Sequence, residues 1–505
     1  MFEKILIANR GEIAVRIIHA CRELQIQTIA IYSDADRRAL HTRVADAAIQ
    51  IGGAELRASY LNIEKIIAAA KKTNAQAIHP GYGFLSENAD FAQAVRDAGL
   101  VFIGPRAESI RAMGDKAAAR ARMQKNRVPI IPGYHDADDD ASLGRAAEKI
   151  GYPILVKAAA GGGGKGMRVV AARAEFSDAL ASARREAHNA FGDARLILEK
   201  FIPHARHIEF QILADAHGET IHLFERECSI QRRHQKIIEE TPSPLLDEKL
   251  RATIGAAAVA AARAVNYENA GTIEFIVDPT TRAFYFLEMN TRLQVEHPIT
   301  EMTTGVDLVQ WQIRIASGEP IAFASQRRAQ DSPLQPRGHA IECRVYAEDA
   351  ANNFLPATGT LLQAIEPRAP GVRVDAGVTR GDAVTVHYDP LLAKVIVHAE
   401  SRAAAIHKMQ NALRDYVLLG VMTNIEFLQA ALAHSEFQRG EATTAFIEKN
   451  FADWKPRAEI PPPALIAAVL DELRGENDAA ESRMTTVDPY NPWQRADGFR
   501  IGMAE

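Results

Sequence analysis

Two carboxylates and one amide in a predicted β-hairpin have the residue types and the spacing of a divalent-cation site. Residues 274–277 form an apolar strand that begins at Glu274, and a turn leads into a second strand at 284–290. Glu288 and Asn290 are two residues apart and therefore share one face of the second strand, which Glu274 can approach from the first. Mg²⁺ prefers such oxygen ligands and completes its shell with substrate phosphates and water. The alternative is a solvated strand face on which the carboxylates stay apart.

A dense run of polar residues overlaps the end of that hairpin, at 290–298. The planar guanidinium of Arg292 suits a small oxyanion, and the carboxylate of Glu296 is placed to act as a base. His297 could be a second base, but a structural hydrogen bond is the better interpretation beside the proline that follows it. A second polar run, at 226–236, could be a solvated turn or a nucleic-acid patch. Because it has no interleaved aromatic residues, contacts with phosphate or another small anion fit it better.

A glycine-rich loop has a backbone that can close over phosphates. Gly161, Gly163 and Gly166 match G-x-G-x-x-G, but a dinucleotide site needs a helix after the glycines, and a strand is predicted here. Lys165 precedes a glycine instead of a serine or threonine, which also excludes a P-loop. We therefore predict a loop that joins two strands, in which Lys157 and Lys165 balance phosphate charge. The alternative is a merely mobile turn, although a plain hairpin has no need for so many glycines.

Alternating strands and helices must position these groups. Apolar runs at 4–8, 28–32 and 75–79 predict strands, and helical spacing of apolar residues, as at 63–72, separates them. This alternation predicts an α/β protein with a doubly wound parallel sheet, whose ligands bind at the carboxyl ends of the strands. The segment 79–84 lies at such an end.

The sequence divides into four parts. We predict an N-terminal domain at 1–128, a lid at 129–201, a larger domain of strands and helices at 202–447 and an appended tail at 448–505. A triple proline at 461–463 predicts a stiff linker within that tail.

Composition and charge exclude several classes of protein. The chain has 505 residues, of which 47% are hydrophobic and 24% charged, as in ordinary globular proteins. A net charge of −5 gives no basic surplus for nucleic acid or for a membrane surface. The three cysteines are odd in number and far apart, which argues against disulfides and clustered-cysteine metal sites. With no predicted spanning helix and no evident leader, we expect a cytoplasmic protein.

Several ordered motifs resemble those of the biotin carboxylase component of biotin-dependent carboxylases, a branch of the ATP-grasp ligases. Besides the glycine loop, the matching segments are 8–14, 79–88, 113–116, 231–236, 288–292, 294–298 and 337–344. The resemblance covers residues 1–447 and implies an ATP-grasp fold, with an N-terminal doubly wound domain, a mobile glycine-rich lid and a C-terminal α+β domain. It also implies ATP-dependent carboxylation of biotin by bicarbonate through carboxyphosphate, with Mg²⁺ or Mn²⁺ as cofactor.

The same resemblance assigns roles to residues of this sequence. ATP would be bound by Lys116, Lys157, Gly162, Gly163, Gly164, Lys165, Gly166, Glu199, Lys200, His207, Gln231 and His234. The metal ligands would be Glu274, Glu288 and Asn290. Bicarbonate would lie against Arg292, Gln294 and Val295, with help from Lys236, and Glu296 would deprotonate it. Tyr82 and Gly83 would border biotin, and Arg337 would stabilise its enolate.

The resemblance also implies partners. The family carries biotin on a lysine within Met-Lys-Met in a separate carrier domain, and that tripeptide does not occur in this sequence. We therefore expect a carrier domain, a carboxyltransferase subunit and self-association or a larger complex. Residues 488–502 resemble the segment that follows the carboxylase domain in α subunits of the methylcrotonoyl-, geranyl- and propionyl-CoA carboxylases. This predicts the N-terminal part of such a subunit, and a disordered tail of a free-standing carboxylase is the alternative.

Two other functions remain as alternatives. A different ATP-grasp ligase could join bicarbonate or a carboxylate to an amine, and it would turn over ATP without biotin. A non-catalytic nucleotide-binding regulatory module would have lost its reacting groups, yet Glu296, Arg292, Arg337 and the three metal candidates are all present.

Overall fold

The computed structural model describes residues 1–134, 139–159, 167–232, 235–321, 323, 334–456 and 462–472, apart from the side chains at 116–117 and 190–191. The chain separates into two units, residues 1–454 and 455–505. Among the described residues, no helix combines the length and the apolarity that a bilayer span requires.

The N-terminal sheet of the first unit has five parallel strands in the order β3-β2-β1-β4-β5. The strands are β1 Lys4–Ile7, β2 Gln27–Ser33, β3 Ala47–Gly52, β4 Ala77–His79 and β5 Val101–Phe102. The helices around them are Gly11–Glu23, Leu40–Val44, Ile63–Lys72, Ala89–Asp97, Ala107–Gly114 and Lys116–Lys125. The doubly wound parallel sheet is confirmed, and β4 ends at His79, which places the segment 79–84 at the carboxyl edge of the sheet.

A smaller sheet of four strands follows, in the order β6-β9-β7-β8. The strands are β6 Gly133–Tyr134, β7 Ile154–Ala158, β8 Arg168–Val170 and β9 Leu196–Lys200, and the helices are Asp140–Ile150 and Phe176–Phe191. Strands β7 and β8 pair antiparallel, so a strand follows the glycines, as predicted. The glycine loop itself lies outside the described residues.

The central sheet has eight strands in the order β14-β13-β10-β11-β12-β15-β22-β20, and all neighbours are antiparallel. The strands are β10 Arg206–Ala214, β11 Thr220–Arg232, β12 Gln235–Thr241, β13 Asn269–Val277, β14 Phe284–Asn290, β15 His339–Tyr346, β20 Val372–Ala376 and β22 Leu391–Ala399. The predicted hairpin is confirmed as β13 and β14, and Glu274 lies directly opposite Glu288.

Short strand pairs and further helices complete the first unit. The remaining strands are β16 Glu348–Asp349, β17 Leu355–Pro356, β18 Gly359–Thr360, β19 Gln363–Ile365, β21 Ala383–Val384 and β23 Val417–Leu419. The helices are Glu248–Arg263, His297–Thr304, Leu308–Ala316, Arg402–Asp415, Ile425–Ala433, Ser435–Gln438 and Phe446–Phe451. Short 3₁₀ helices span Asp34–Asp36, Leu56–Ala58, Arg173–Glu175 and Ala350–Asn352. The largest apolar core packs β15 and β22 against the helix Arg402–Asp415.

Two helices lie at or beyond the predicted start of the tail. The helix Phe446–Phe451 crosses the predicted end of the larger domain at 447, because Phe446 and Ile447 are buried in the core of the first unit. In the second unit, the described residues 462–472 are helical, so Pro462 and Pro463 lie in a helix, while Pro461 lies outside the described residues. Proline is tolerated in the first turn of a helix, because the first N–H groups have no intrahelical partner. Residues 488–502 lie outside the described residues.

Candidate active site

A cleft of about 1070 Å³ runs between the four-stranded sheet and the β13–β14 end of the central sheet. Its wall combines residues that are far apart in sequence. The predicted site residues that line it are Lys157, Glu199, Lys200, His207, Gln231, Lys236, Glu274, Glu288, Asn290, Arg292, Gln294 and Val295.

The other predicted site residues are placed differently. Gly162, Gly163, Gly164, Lys165, Gly166 and His234 lie outside the described residues, as does the side chain of Lys116. Glu296 is completely buried and lies behind Lys236, which contacts it. Tyr82, Gly83 and Arg337 lie beyond the described wall of the cleft.

The ammonium group of Lys236 joins three buried carboxylates. Its Nζ donates to Glu274 Oε1 at 2.8 Å, to Glu296 Oε1 at 2.7 Å and also to Glu209. These side chains come from different strands and from the loop after β14, and the register of the sheet brings them together. Burial lowers the pKa of a lysine, but the three carboxylates outweigh this effect and raise the pKa of Lys236 well above its ordinary value. Lys236 is therefore a permanent cation at the base of the cleft.

The candidate base Glu296 has a cation on each oxygen. Its Oε1 accepts from Lys236, and its Oε2 accepts from Arg344 Nη2 at 2.9 Å. Arg344 also donates from Nε to Glu239 at 2.6 Å. Burial raises the pKa of Glu296, but Lys236 and Arg344 lower it more, so the pKa lies well below its ordinary value. Glu296 is thus ionised and able to accept a proton. Arg344 lies within a motif that matched the family, but the sequence alone gave it no role.

Glu209 is a residue of the candidate site that the sequence analysis did not identify. It contacts Lys236 and accepts from Arg226 Nε at 2.6 Å, and both Glu209 and Arg226 are completely buried. Arg226 is held in turn by Gln211 Oε1 at 2.7 Å and by Thr272 Oγ1 at 3.0 Å. The signal that could have revealed it is a run of polar residues on β10, a strand buried along its whole length.

The predicted metal ligands lie together. The Oε1 atom of Glu274 accepts from Asn290 Nδ2 at 2.7 Å and from Gln294 Nε2 at 3.0 Å, and Oε2 lies 2.8 Å from His207 Nε2. Glu288 faces Glu274 across the hairpin and lines the cleft. Two carboxylates and an amide oxygen are hard donors, and this set fits Mg²⁺ or Mn²⁺. In this structure protein donors satisfy Glu274, so a bound cation would have to displace some of them.

Arg292 has four hydrogen-bond acceptors at the cleft, including Asn290 Oδ1 at 3.1 Å. Its Nε donates to Glu87 Oε2 at 2.9 Å, and its Nη1 donates to Gln294 Oε1 at 2.7 Å. Glu87 also accepts from the backbone N–H of Thr291 at 2.9 Å, and it follows the loop that leaves β4. The N-terminal domain therefore helps to orient the candidate oxyanion-binding residue. Glu87 is a second residue whose role the sequence did not reveal.

The candidate nucleotide side carries a different set of contacts. Lys157 and Arg120 both form ion pairs with Glu199, whose carboxylate is buried. Lys200 donates to the carbonyls of Gly151 at 2.7 Å and Tyr152 at 3.1 Å. The apolar residues on the wall include Met113, Leu155, Ile197, Ile276, Phe286, Leu287 and Met289. Apolar walls with a few charged groups are typical of a site for a planar base and its phosphates.

The candidate biotin side is built on two tightly held segments. Asn9 Nδ2 donates to the carbonyls of Pro80 and Tyr82, both at 2.7 Å, and Gly83 has a φ of +66° that favours glycine. The side chain of Arg337 is exposed, while its backbone N–H donates to Thr303 O at 2.9 Å. The Arg337 carbonyl also lies 2.8 Å from a histidine ring nitrogen of β22.

Family models match this architecture in three segments. Residues 1–110 match the N-terminal domain of biotin carboxylase, and residues 342–449 match its C-terminal domain. Residues 115–323 match the ATP-binding domain of the carbamoyl-phosphate synthase L chain. The chain belongs to the biotin carboxylase family.

Individual relatives agree with this assignment. The chain is 50% identical over 451 residues to biotin carboxylase 2 of Bacillus subtilis, covering 89% of this chain and 100% of that protein. It is 47% identical over 505 residues to the methylcrotonoyl-CoA carboxylase α subunit of Rattus norvegicus, covering 99% of this chain and 70% of the subunit. Across the methylcrotonoyl-CoA carboxylase α subunits that match first, this chain spans between 61% and 70% of their length.

A solved structure shows the same fold. The biotin carboxylase domain dimer of Hydrogenobacter thermophilus 2-oxoglutarate carboxylase, in complex with magnesium ADP, ADP and bicarbonate, superposes with a TM-score of 0.83 at 45% identity. The match covers 91% of this chain and 100% of that one. The predicted family, the ATP-grasp fold and an ATP-dependent biotin carboxylase activity are thus confirmed, and nothing in the comparisons supports the amine-accepting ligase or the regulatory module.

Proposed function

We propose that this cleft performs the first half-reaction of an acyl-CoA carboxylase and that its residues have the catalytic and binding roles predicted from the sequence. The observation that supports this most directly is the ammonium of Lys236, which contacts both the candidate base Glu296 and the candidate metal ligand Glu274. A proton acceptor, an anion-binding cation and metal-binding carboxylates therefore meet in one place. Bicarbonate needs all three groups when it is activated beside the γ-phosphate of ATP.

In this proposal, bicarbonate lies against Arg292, Gln294 and Val295, and Glu296 takes its proton. The carbonate oxygen then attacks the γ-phosphorus of ATP, ADP leaves and carboxyphosphate forms. When Lys236 turns toward the entering anion, it weakens its contact with Glu296, and the pKa of that carboxyl rises toward the value a base requires. A cation held by Glu274, Glu288 and Asn290 would supply neutralisation of phosphate charge.

The second part of the reaction uses the rim of the cleft. Carboxyphosphate breaks down to CO₂ and phosphate, phosphate takes the N1′ proton of biotin, and the deprotonated N1′ attacks CO₂ to give carboxybiotin. We propose that Tyr82 and Gly83 border the biotin ring and that the exposed guanidinium of Arg337 stabilises the enolate. The firmly bonded backbone of Arg337 supports this role, because it limits the positions that the guanidinium can reach.

The nucleotide contacts remain our proposals as well. They comprise Lys116, Lys157, Gly162, Gly163, Gly164, Lys165, Gly166, Glu199, Lys200, His207, Gln231 and His234. Lys157 is paired with Glu199 in this structure, so a phosphate must compete with that carboxylate for its ammonium group. We also propose that the glycine loop closes over the phosphates when ATP binds.

We further propose that the chain acts as the biotin carboxylase part of an α subunit, together with a biotin carrier domain and a carboxyltransferase subunit. Identity with the rat methylcrotonoyl-CoA carboxylase α subunit extends over 505 residues, which supports this assignment. Self-association would agree with the Hydrogenobacter thermophilus domain, which is described as a dimer. For the compartment we propose the cytoplasm, because all three cysteines are free and buried, as a reducing environment favours. The plant and mammalian relatives are named as mitochondrial.

ADP release tests the reaction. With ATP, Mg²⁺ and free biotin, we expect ADP release to require bicarbonate, and radiolabelled bicarbonate should appear in carboxybiotin. Arg337→Ala should reduce carboxybiotin by about a hundredfold or more while the KM for ATP stays within about twofold. Arg414→Ala is the matched control, because this arginine is exposed on a helix and, among the described residues, its side chain bonds only to Asn411. A rate of ADP release that is the same with and without biotin would contradict the proposed function.

A further inference from the structure

Lys394 on β22 is a completely buried lysine outside the cleft wall. Its Nζ donates to the carbonyl of Val295 at 3.0 Å and forms ion pairs with Glu12 at 3.2 Å and with Asp375 at 3.6 Å. It also lies 6.0 Å from the ring centroid of Tyr82. A lysine is almost never fully buried unless it is paired, so this position needs an explanation.

The surroundings keep this lysine charged. Burial lowers the pKa of Lys394, but the carboxylates of Glu12, Glu342 and Asp375 outweigh this effect and raise the pKa above its ordinary value, while Arg373 opposes them. Lys394 therefore presents a full ammonium charge to the carbonyl of Val295, and a hydrogen bond from a charged donor is stronger than one from a neutral donor.

The bond to Val295 acts on the bicarbonate side of the site. The carbonyl of Val295 and the N–H of Glu296 belong to one planar peptide unit, so an ammonium that holds the carbonyl also fixes the backbone of the candidate base. Glu296 immediately precedes the helix His297–Thr304. The orientation of this peptide therefore determines where the Glu296 side chain leaves the backbone.

The ion pair with Glu12 acts on the biotin side. Glu12 lies in the segment that contains Asn9, whose amide holds the carbonyls of Pro80 and Tyr82. The C-terminal part of the first unit is pressed against this segment, because a Cβ on Gly377 would lie only 2.4 Å from the backbone nitrogen of Glu12. Lys394 is thus in contact with both the segment that carries the candidate base and the segment next to the candidate biotin loop.

We propose that Lys394 is a positioning residue that fixes the Val295–Glu296 peptide and ties it to the Glu12 segment, so that bicarbonate activation stays aligned with the biotin loop. This inference rests on the proposed function. It predicts that loss of the ammonium group misplaces the base and the anion but leaves ATP binding intact. ATP hydrolysis should then become partly uncoupled from the carboxylation of biotin.

Lys394→Met tests this inference, because methionine keeps the length and removes the charge. We expect the KM for bicarbonate to rise by about tenfold or more, as a small misplacement of reacting groups is costly. Carboxybiotin formed per ADP released should fall to about half or less, while the KM for ATP stays within about twofold. Arg402→Met is the matched control, because it also removes a cation from a buried glutamate, Glu240, and it lies outside the cleft wall.

A second variant, Glu12→Gln, keeps the test decisive if Lys394→Met does not fold. It leaves the ammonium and its bond to Val295 in place but removes the ion pair, so it should raise the KM for biotin more than the KM for bicarbonate. The inference is overturned if Lys394→Met matches Arg402→Met in bicarbonate KM and coupling, or if foldable Glu12→Gln leaves both KM values unchanged. Wild-type protein without bicarbonate- and biotin-dependent ADP release would instead overturn the proposed function itself.

Discussion

Glu296→Gln is the substitution that probes the proposed base most directly. Glutamine has nearly the same shape as glutamate but cannot take a proton at neutral pH. Lys236 would keep its contacts with Glu209 and Glu274, and Arg344 would keep its contact with Glu239. No buried cation is left without a carboxylate, so we expect the variant to fold. Its loss of stability should be smaller than the ~3–5 kcal/mol that follows when a buried charge loses its partner.

The expected loss of activity can be estimated from general base catalysis. A positioned base contributes about 10²- to 10⁴-fold, which corresponds to about 3 to 5 kcal/mol of activation free energy. Glu296 has a pKa well below its ordinary value, so the wild-type base is ionised throughout the neutral range. The activity of the variant should rise with pH, because free carbonate then replaces the product of the missing base. Wild-type activity should show no matching rise from the titration of Glu296.

The assay is bicarbonate-dependent ADP release with biotin, followed from pH 6 to pH 9 for wild type and variant. The KM for ATP and the melting temperature are measured alongside, so that misfolding is recognised. Glu240→Gln serves as the matched control, since Glu240 is a buried carboxylate paired with His339 at 2.8 Å, away from the cleft wall. Retention of more than about a tenth of the wild-type activity by Glu296→Gln would refute the assignment of the base.

Three further predictions concern the metal, the pH dependence of stability and a close contact. Glu288→Gln should raise the Mg²⁺ concentration for half-maximal ADP release by at least about tenfold, measured by Mg²⁺ titration, and an unchanged value would exclude it as a ligand. Burial raises the pKa of Glu240, but the bond to His339 and the charge of Arg402 lower it to about 2. The ionised carboxylate therefore stabilises the fold above pH ~4.5, and this contribution is lost as the pH falls through 2. Glu240→Gln should therefore cost about 3 kcal/mol at pH 7 and less at pH 3, as followed by thermal unfolding, and an equal cost at both pH values would contradict this origin. Gly377→Ala should lower the melting temperature and raise the KM for biotin, because its Cβ would lie 2.4 Å from a backbone nitrogen. Gly144→Ala, where the added Cβ has no neighbour within 4 Å, should have neither effect. Identical melting temperatures and KM values for the two variants would contradict the close contact.

Local patterns in the sequence were sufficient for the elements that carry the site. The helix at 63–72 was predicted with the bounds that the structure shows, because its apolar residues recur at helical spacing. The hairpin of β13 and β14 was predicted from two apolar runs around a turn, and its register sets Glu274 opposite Glu288. The triple proline alone could not distinguish a linker from a helix, because proline occurs both in linkers and in the first turn of a helix, and Pro462 and Pro463 are helical.

The pairing of distant charged residues could not be predicted in the same way. Lys236 contacts Glu209, Glu274 and Glu296 only because three antiparallel pairings and one loop bring them together. No local sequence pattern predicts which carboxylate a lysine will contact in the folded protein. The motif resemblance identified Lys236, Glu274 and Glu296 as site residues, but it said nothing of Glu209, whose place in the site depends on tertiary contacts alone. Lys394 was missed for the same reason, since its strand contains no motif.

The contacts of Lys236 explain why anion and cation binding should depend on each other in this cleft. Glu296 has Arg344 as a second cation, Glu209 has Arg226, and Glu274 has His207 at Oε2, but the Oε1 atom of Glu274 has Lys236 as its one cationic partner among the described contacts. A divalent cation on Glu274 would compete with Lys236 for that oxygen. The ammonium group would then have fewer carboxylate partners and more capacity for an entering anion. By linkage, an anion that draws Lys236 away must favour a cation on Glu274 by the same free energy. If Glu274 binds the cation as proposed, substrate anion and metal cation should therefore each strengthen the binding of the other.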